Sequence, residues 1–349
     1  MKRDKEHFRG CLLGGAVGDA LGAPVEFLSL EEIKNKFGVA GVTSLPKRPG
    51  RKSVITDDTQ MTLFTAEGLL RAFTRQLERG LCSPPSVVHH AYIRWLHTQS
   101  EENQYLDHFS RYTDDGWLIN EKELHHRRAP GVTCLSSLKA AEMGTMEKPI
   151  NDSKGCGGVM RTAPVGLIAD KPFEWGCEIA AITHGHPCGY LPGGVLAQII
   201  ANIIEGMILE QAITQSLTVL KTMPFYHECL NIIKLALDLL GKGLNHEENI
   251  RKIGEGWVGE EALAISLYCC LAAESDFVKG VCLAVNHDGD SDSTGAITGN
   301  ILGAYLGRQA IPQDWLYNLE LTEEIIRIAD DLLIHYRNDD EWKQKYPGW

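Results

Sequence analysis

The sequence has no apolar run long enough to cross a membrane and no cluster of basic residues. A membrane-spanning helix needs roughly 18 consecutive apolar residues, and the most apolar stretches, 189–204 and 263–273, are shorter or are interrupted by Gln198 and Asn202. The chain carries 46 acidic and 34 basic side chains, a net charge of −12. Because such a chain repels phosphate backbones and anionic lipids, we expect neither a nucleic acid nor a membrane as a partner.

The ten cysteines contain no Cys-x-x-Cys pair, the spacing of thioredoxin-like redox sites and zinc ribbons. Cys269 and Cys270 adjoin inside an apolar run. This usage indicates buried free thiols in a reducing compartment. The N-terminal segment is not typical of a signal peptide either, because acidic residues interrupt its basic start and its apolar run. We therefore expect a folded N-terminal helix and a cytoplasmic protein.

Alternation of polar and apolar residues, typical of strands, is nearly absent apart from a short extended piece at 38–45. Helical spacing, with apolar residues at i, i+3, i+4 and i+7, dominates instead. It predicts helices over Phe8–Leu21, Gln60–Ala72, Pro85–His97, Val132–Met143, Gly193–Ile208, His227–Leu240, Glu260–Ala273 and Leu321–Tyr336. No long linker, charge block or low-complexity segment divides the chain. We expect one compact all-α domain, a helical bundle over 1–349.

Two glycine ladders lie near the ends of the sequence. Their members recur every fourth residue, as Gly10, Gly14, Gly18 and Gly22 and as Gly295, Gly299, Gly303 and Gly307. On a helix this spacing places them along one face, although each interior glycine costs about 0.5–1 kcal/mol relative to alanine. The ladders predict helices whose backbones approach other backbones closely in the centre of the molecule, with each other as a candidate partner.

Two acidic clusters each precede a helical segment. The first is Thr56-Asp57-Asp58-Thr59, and the second contains Asp288, Asp290, Asp292 and Ser293. Capping a helix needs only one such residue at each helix start. The surplus indicates a hard cation, Mg²⁺, Mn²⁺ or Ca²⁺, bound by carboxylate and hydroxyl oxygens.

The second cluster is similar to the start of an EF-hand loop, but the similarity ends after three ligands. Ser293 stands where the loop needs glycine, and Gly299 stands where it needs a bidentate glutamate. The segment also runs directly into a helix and is too short to surround an ion alone. We therefore expect a second ligand set from elsewhere in the chain, and residues 56–58 are the best candidate.

Five segments together resemble the ADP-ribosylglycohydrolase family, of the dinitrogenase reductase-activating glycohydrolase type. In order along the chain they are GCLLGGAVGDALGAPVEF at 10–27, TDDTQMT at 56–62, GCGGVMRTAPVGL at 155–167, THGHPCGY at 183–190 and NHDGDSDSTGAITGNILGAYLG at 286–307. The resemblance implies a compact all-helical fold around two Mg²⁺ (or Mn²⁺) ions at helix N-termini. It also implies an enzyme that hydrolyses the bond between ADP-ribose and a modified protein side chain.

Matched residue by residue, the resemblance implies six metal ligands: Thr56, Asp57, Asp58, Asp290, Asp292 and Ser293. Family members more often have threonine at the last position, and serine keeps the hydroxyl. Asp288 lies where the family varies and is expected to support the ligands or face solvent. Glu26 matches an acidic residue on a mobile loop over the metals and is expected to transfer the proton, with Asp292 or Asp58 as the alternative. Asp19 is expected to make structural hydrogen bonds.

The loop 155–161 resembles the family's glycine-containing loop that approaches the diphosphate and the distal ribose. The predicted contacts with ADP-ribose are Gly155, Gly157, Gly158, Met160, His184 and Tyr190. His184 matches a position close to the bound nucleotide, and Tyr190 is a candidate to stack on adenine.

One position departs from the arginine-specific members, which carry an aspartate implicated in catalysis within a D-x-G-x-T segment. The comparable stretch here is RAPGVT, 128–133, with Ala129 at the aspartate position. We expect an ADP-ribosylated protein, with arginine as the favoured linkage, while the general base stays open. The alternatives are a weakly catalytic protein that binds ADP-ribose or blocks an ADP-ribosyltransferase, with 80–123 as a candidate family-variable insert, and a hydrolase of a small ADP-ribose conjugate. A monomer is the favoured state.

Overall fold

The computed structural model describes residues 1–46, 52–100, 115–242 and 245–348, and within these residues the chain forms seventeen α-helices and no strand. They are α1 (Lys5–Gly22), α2 (Leu30–Phe37), α3 (Asp57–Arg79), α4 (Pro84–Thr98), α5 (Val132–Leu138), α6 (Ala163–Ile168), α7 (Pro172–Ala181), α8 (Pro187–Ile204), α9 (Leu209–Leu220), α10 (His227–Leu240), α11 (His246–Ile253), α12 (Gly259–Ala272), α13 (Phe277–Val285), α14 (Ser291–Leu306), α15 (Gln313–Asn318), α16 (Thr322–Ile334) and α17 (Asp340–Lys345). The predicted all-α fold is confirmed.

All eight predicted helices are present, and the differences lie at their ends. The helix predicted over Val132–Met143 stops at Leu138, and the chain then turns so that the N–H of Gly144 donates to the carbonyl of Ile182 at 3.3 Å. The helix predicted over Gly193–Ile208 begins earlier, at Pro187, and ends at Ile204, just before Gly206 with its φ of 102°. Positive φ is easily adopted by glycine and breaks the helical hydrogen-bond pattern.

The piece predicted to be extended at 38–45 forms no strand within the described residues. Its backbone is instead held by a side chain. The N–H of Val42 donates to Asn286 Oδ1 at 2.7 Å, and Asn286 Nδ2 donates to the carbonyl of Val42 at 2.8 Å. The amide group of Asn286 thus takes the place of a neighbouring strand.

Helices α1 and α14 pack against each other in opposite directions through the two glycine ladders. The facing pairs are Gly10 with Gly303, Gly14 with Gly299, Gly18 with Gly295, and Gly22 with Ser291. In each pair, a Cβ added to the α1 glycine would lie closer than 3.0 Å to the partner's carbonyl oxygen. The predicted close approach of the ladders is therefore confirmed. Gly307 is the exception, because it ends α14 with a φ of 82°.

Helix α8 lies in the core, against α7, α9, α6 and α12. It is the one helix among the described residues that is long and apolar enough to cross a membrane, and 83% of that stretch is buried inside the protein. A helix that is apolar on every side is also typical of the core of a large globular protein.

The predicted insert over 80–123 falls partly on residues 101–114, which lie outside the described residues. Its described part contains α4 and two short 3₁₀ turns, Leu118–Asn120 and Lys122–His125. The limits of this insert stay a prediction.

Candidate active site

The first acidic cluster is anchored to α1 by Asp19. The backbone N–H of Thr56 lies 3.0 Å from each carboxylate oxygen of Asp19, and the N–H of Thr59 donates to Asp19 Oδ2 at 3.1 Å. Burial raises the pKa of Asp19 to about 6, and these hydrogen bonds act against that rise. Asp19 thus fixes the first turn of α3 to helix α1. Its predicted role as a structural hydrogen-bonding residue is confirmed.

The segment that contains Ala129 packs directly on this cluster. The N–H of Asp57 donates to the carbonyl of Arg128 at 3.2 Å, and Asp57 Oδ2 accepts from the N–H of Gly131, also at 3.2 Å. Arg128 in turn forms an ion pair with Glu320. The residue at the position of the family aspartate therefore lies beside Asp57, is exposed, and has a φ of 50°.

The second acidic cluster opens α14. Asp290 caps that helix, because its Oδ1 accepts from the N–H of Ser293 at 3.3 Å, and Asp292 Oδ1 accepts from the same N–H at 3.0 Å. The glycine contact between α1 and α14 reaches Gly22 and Ser291, so this cluster lies beside the end of α1. The packing of two helices thus brings both clusters to one place.

Asp288 is turned away from this cluster to serve other partners. Its Oδ1 accepts from the N–H of Leu30 at 2.7 Å, and its Oδ2 lies 3.3 Å from Arg251 Nε. Both oxygens therefore hold the start of α2 and the surface of α11. These bonds agree with the expectation that Asp288 has a supporting role, and that it does not bind metal stays a prediction.

The six predicted ligands are buried, none more than 5% exposed. Burial first, and then repulsion by neighbouring carboxylates, raises the pKa of Asp58 and of Asp292 well above the usual range. The carboxylates that act on Asp58 include Asp57 from its own cluster and Asp290 from the other, and the side chain of Ser293 acts in the opposite direction. Buried like charges are stable only with a proton or a cation between them.

The donor set fits a hard cation in its chemistry. Asp58 Oδ1 is buried and has no hydrogen-bond partner, and the predicted ligands offer only carboxylate and hydroxyl oxygens, which suit Mg²⁺ and Mn²⁺. In the described part of the chain, however, no three of the aspartates bring ligand oxygens within 4.8 Å of one another. The oxygens are therefore spread over two helix starts and do not form a closed cage for a single ion.

Cys156 is a residue of this site that the sequence reasoning missed. Its thiol donates to Asp290 Oδ2 at 2.7 Å and accepts from the hydroxyl of Ser293 at 3.6 Å. Burial and the nearby charges of Asp290 and Asp58 raise its pKa well above the usual range, so the thiol stays protonated. The spacing of the cysteines does not indicate a role for Cys156. Its position inside the GCGG motif is the one sequence signal that could have pointed to it.

The glycine-containing loop lies directly against the second cluster through this cysteine. Two of its N–H groups are bonded within the protein, that of Gly155 to Ser153 Oγ at 3.3 Å and that of Cys156 to the carbonyl of Trp257 at 3.1 Å. A Cβ on Gly157 would lie 3.0 Å from His184 Cε1. The loop packs so closely on the residues beneath it that a side chain at its glycine positions would clash with them.

Glu26 lies in the turn between α1 and α2 and is half-buried. Burial first, and then the charges of Asp290 and Asp19, raise its pKa to about 8. The next residue, Phe27, stacks on Trp257 with ring centroids 5.6 Å apart and planes inclined by 17°. The turn is thereby held against the segment that bonds Cys156. A carboxyl group with such a pKa can both give and take a proton near neutral pH.

A family model described as ADP-ribosylglycohydrolase matches residues 1–341. The chain belongs to this family. The predictions of the family and of an enzyme that is an ADP-ribosylhydrolase are confirmed at this level, since curated members of the family carry hydrolase names.

Three relatives match over nearly the whole chain. An uncharacterized protein of Archaeoglobus fulgidus is 29% identical, covering 95% of this chain and 98% of that protein. The ADP-ribosyl-[dinitrogen reductase] glycohydrolase of Rhodospirillum rubrum is 26% identical over 93% and 94%. The ADP-ribosylarginine hydrolase Tri1 of Serratia proteamaculans is 24% identical over 95% and 80%. A solved structure titled ADP-ribosylglycohydrolase-related protein complex is 26% identical, with a TM-score of 0.58 over 96% of this chain and 99% of that one.

In this member of the family, the other predicted nucleotide contacts are deeply buried. His184 is 1% exposed, contacts Thr183 Oγ1 at 2.8 Å, and has its pKa lowered to about 3 by burial and by Arg161. Met160 and Tyr190 are 2% and 6% exposed. Of the three side chains, that of His184 lies against Gly155 and Gly157 of the loop. The contact of all three with ADP-ribose stays a prediction.

Proposed function

We propose that this protein hydrolyses the glycosidic bond between ADP-ribose and a modified protein side chain, with arginine as the favoured linkage, and that the reaction depends on two Mg²⁺ or Mn²⁺ ions. The observation that carries the proposal is the meeting of two buried acidic clusters at two helix N-termini, with an unpartnered oxygen on Asp58. The relative named ADP-ribosylarginine hydrolase supports arginine.

In this proposal the ions are held by the two helix starts together. Thr56, Asp57 and Asp58 would act from α3, and Asp290, Asp292 and Ser293 from α14. When bound, divalent ions orient hydroxyl groups of the ribose and lower the pKa of coordinated water. The protein's own part is to keep the six oxygen donors buried at two neighbouring helix starts, away from bulk water.

Glu26 is the proposed group for proton transfer. As the bond from the anomeric carbon to the leaving nitrogen breaks, that nitrogen needs a proton, and burial, the first cause of the raised pKa of Glu26, helps its carboxyl group to hold one. The sugar ring develops positive charge in such reactions, and the carboxylates of Asp58 and Asp292 stabilise it. They are also the alternative groups for proton transfer.

Ala129 supports one second candidate function. It stands where arginine-specific members have an aspartate implicated in catalysis, in the segment bonded to Asp57. Loss of that carboxylate favours a protein that binds ADP-ribose with little turnover, including one that protects against an ADP-ribosyltransferase by blocking it.

One assay distinguishes the two candidate functions. Purified protein is mixed with ADP-ribosylated arginine and serine peptides, with Mg²⁺, with Mn²⁺ or with a chelator, and free ADP-ribose is measured. We expect release from the arginine peptide that the chelator abolishes. No release from either peptide, together with intact binding of ADP-ribose, would establish the binding protein instead.

Asp57→Ala and Asp292→Ala should each abolish the metal-dependent release, because each removes a proposed ligand from a different helix start. Asp288→Asn is the matched control, since asparagine keeps the acceptor that holds Leu30. Full activity in either alanine variant contradicts a shared metal centre.

A further inference from the structure

Three helices begin at one place beside the glycine-containing loop, and none of them carries a residue of the two acidic clusters. Cys188, Glu228 and Glu260 are the second residues of α8, α10 and α12. The Cys188 sulfur and one carboxylate oxygen from each glutamate all lie within 4.8 Å of one another. Among the described residues this is the one group in which three histidine, cysteine or acidic ligand atoms come so close.

A separate observation points to a ligand. Glu260 is 6% exposed, and its Oε2 is buried with no hydrogen-bond partner. Positive helix N-termini explain why carboxylates are placed here, but they leave this oxygen unpaired, and a buried unpaired polar atom costs about 1–3 kcal/mol. Something that accepts electron pairs from oxygen would remove that cost.

The thiol of Cys188 is hydrogen-bonded to Glu228, and a cation would take the place of that thiol proton. Lys154 contacts Glu228 Oε1, and its charge acts on Glu260 without bonding Oε2. His186 caps α8 by accepting from the N–H of Cys188 at 3.0 Å, which fixes the start of that helix. Cys188 is fully buried and Glu228 is exposed, so the group opens to solvent on the Glu228 side.

We propose that Cys188, Glu228 and Glu260 bind Zn²⁺ at a second metal site, distinct from the acidic centre. Zinc accepts thiolate and carboxylate ligands together, usually four in a tetrahedron, with distances of about 2.3 Å to sulfur and about 2.0–2.2 Å to oxygen. Donors so spaced need only a small contraction to meet one ion, with water in the fourth position. The sulfur selects against Mg²⁺, Mn²⁺ and Ca²⁺, which prefer oxygen ligands alone. On binding, the thiol proton is released to solvent.

The site lies behind the glycine-containing loop and would brace it. The N–H of Gly259 donates to the carbonyl of Lys154 at 2.8 Å, and Gly155 pairs with Val258. An ion that joins the starts of α8, α10 and α12 would therefore fix the segment against which residues 155–158 pack. Its role is structural, and it does not depend on the proposed function.

Metal-stripped protein is titrated with Co²⁺ in excess Mg²⁺, and the thiolate-to-cobalt charge-transfer absorption is followed. Zn²⁺ is then added to displace Co²⁺ and to measure its affinity. We expect one equivalent of Co²⁺ with the absorption, complete displacement by Zn²⁺, and a rise in melting temperature with Zn²⁺. Asp57→Ala should behave as the wild type here, which separates this site from the acidic centre.

Cys188→Ser should lose the charge-transfer absorption, and Glu260→Gln should weaken Zn²⁺ at least tenfold. Matched controls are Cys282→Ser, a thiol outside the group, and Glu174→Gln, a glutamate in the first turn of α7. Circular dichroism checks folding, and Glu260→Gln carries the test if Cys188→Ser does not fold. Absence of the absorption in the wild type, or Zn²⁺ affinity unchanged in Glu260→Gln, overturns the proposal.

Discussion

At the scale of single residues, Arg161 determines which groups beside the glycine loop can exchange protons. It is fully buried, donates to Thr183 Oγ1 at 2.6 Å, and lies 4.4 Å from the centroid of the Tyr92 ring. Burial first, and then the charge of Arg161, lower the pKa of His184 to about 3 and keep its imidazole neutral. His184 therefore cannot act as an acid at neutral pH, and proton transfer is left to the carboxyl groups.

Cys156→Ala should weaken Mg²⁺ binding about tenfold, because groups that orient ligating carboxylates contribute on that order to metal affinity. The thiol holds Asp290 Oδ2 at 2.7 Å, and alanine removes this donor. Cys156→Ser keeps a donor and should bind Mg²⁺ as the wild type does. Calorimetric titration measures both, and equal affinity in all three proteins would show that the thiol does not orient Asp290.

Ala129→Asp should raise the rate of ADP-ribose release from an arginine peptide. The new carboxylate would lie beside Asp57, in solvent, at a φ of 50°. Asparagine and aspartate adopt positive φ more readily than alanine, so the backbone favours the change. Ala129→Asn has the same shape without the charge and should stay at the rate of the wild type. A rate that rises equally in both variants would assign the effect to the backbone.

At the scale of elements, the contact between α1 and α14 could be predicted because a four-residue glycine repeat has one geometric meaning on a helix. The same repeat gave no sign that Gly307 ends its helix, since its φ of 82° depends on how the chain continues. Short helices such as Ala163–Ile168 were not predicted, because six residues are too few for a periodic pattern. The positions of Cys156 and of the group around Cys188 could not be predicted either. They depend on which loops and helix starts meet in space, and spacing along the chain does not encode this.

Gly299→Ala should destabilise the protein by about 3 kcal/mol, the upper part of the range for overpacked sites. Its Cβ would meet the backbone of Gly14, which cannot move aside as a side chain could. Gly241→Ala is the control, because nothing lies within 3.8 Å of its added Cβ and its φ of −71° suits alanine. Urea unfolding measures both, and equal stability of the two variants would contradict close packing of α1 on α14.

At the scale of the whole molecule, buried carboxyl groups are concentrated in the centre. Asp19, Glu26, Asp57, Asp58 and Asp292 all have raised pKa values, and burial is the first cause for each. The location of these carboxyl groups could be predicted, because each acidic cluster has more acidic residues than the capping of one helix needs. How deeply these groups are buried could not be predicted from the sequence, because their burial depends on the helices that enclose the site.

Metal-free protein should lose stability as the pH rises from about 5 to about 8. A carboxyl group with a higher pKa in the folded chain than in the unfolded chain holds its proton more tightly when folded, so its contribution to stability disappears as the pH rises through the folded value. That value is about 6 for Asp19 and about 8 for Glu26. Mg²⁺ should therefore raise the melting temperature more at the higher pH.

Asp57→Asn tests the origin of this dependence, because it removes one of the repelling charges and keeps a side chain of the same shape. Its melting temperature without metal should fall less between about pH 5 and about pH 8 than that of the wild type. A Mg²⁺ effect in the wild type that is as large at the lower pH would contradict the assignment to these carboxyl groups.

The pairing of α1 with α14 has a consequence for biosynthesis. A hydrogen bond from Asn300 to the carbonyl of Cys11 joins residues 289 apart in the chain, and among the described residues the glycine ladder of α1 faces the backbone of α14. While the ribosome is still translating, α1 emerges long before its partner exists. Domains generally fold as units, so a nascent chain that ends before residue 288 holds only one of the two acidic clusters. The proposed catalytic centre is thereby withheld until residue 293 has been added to the chain.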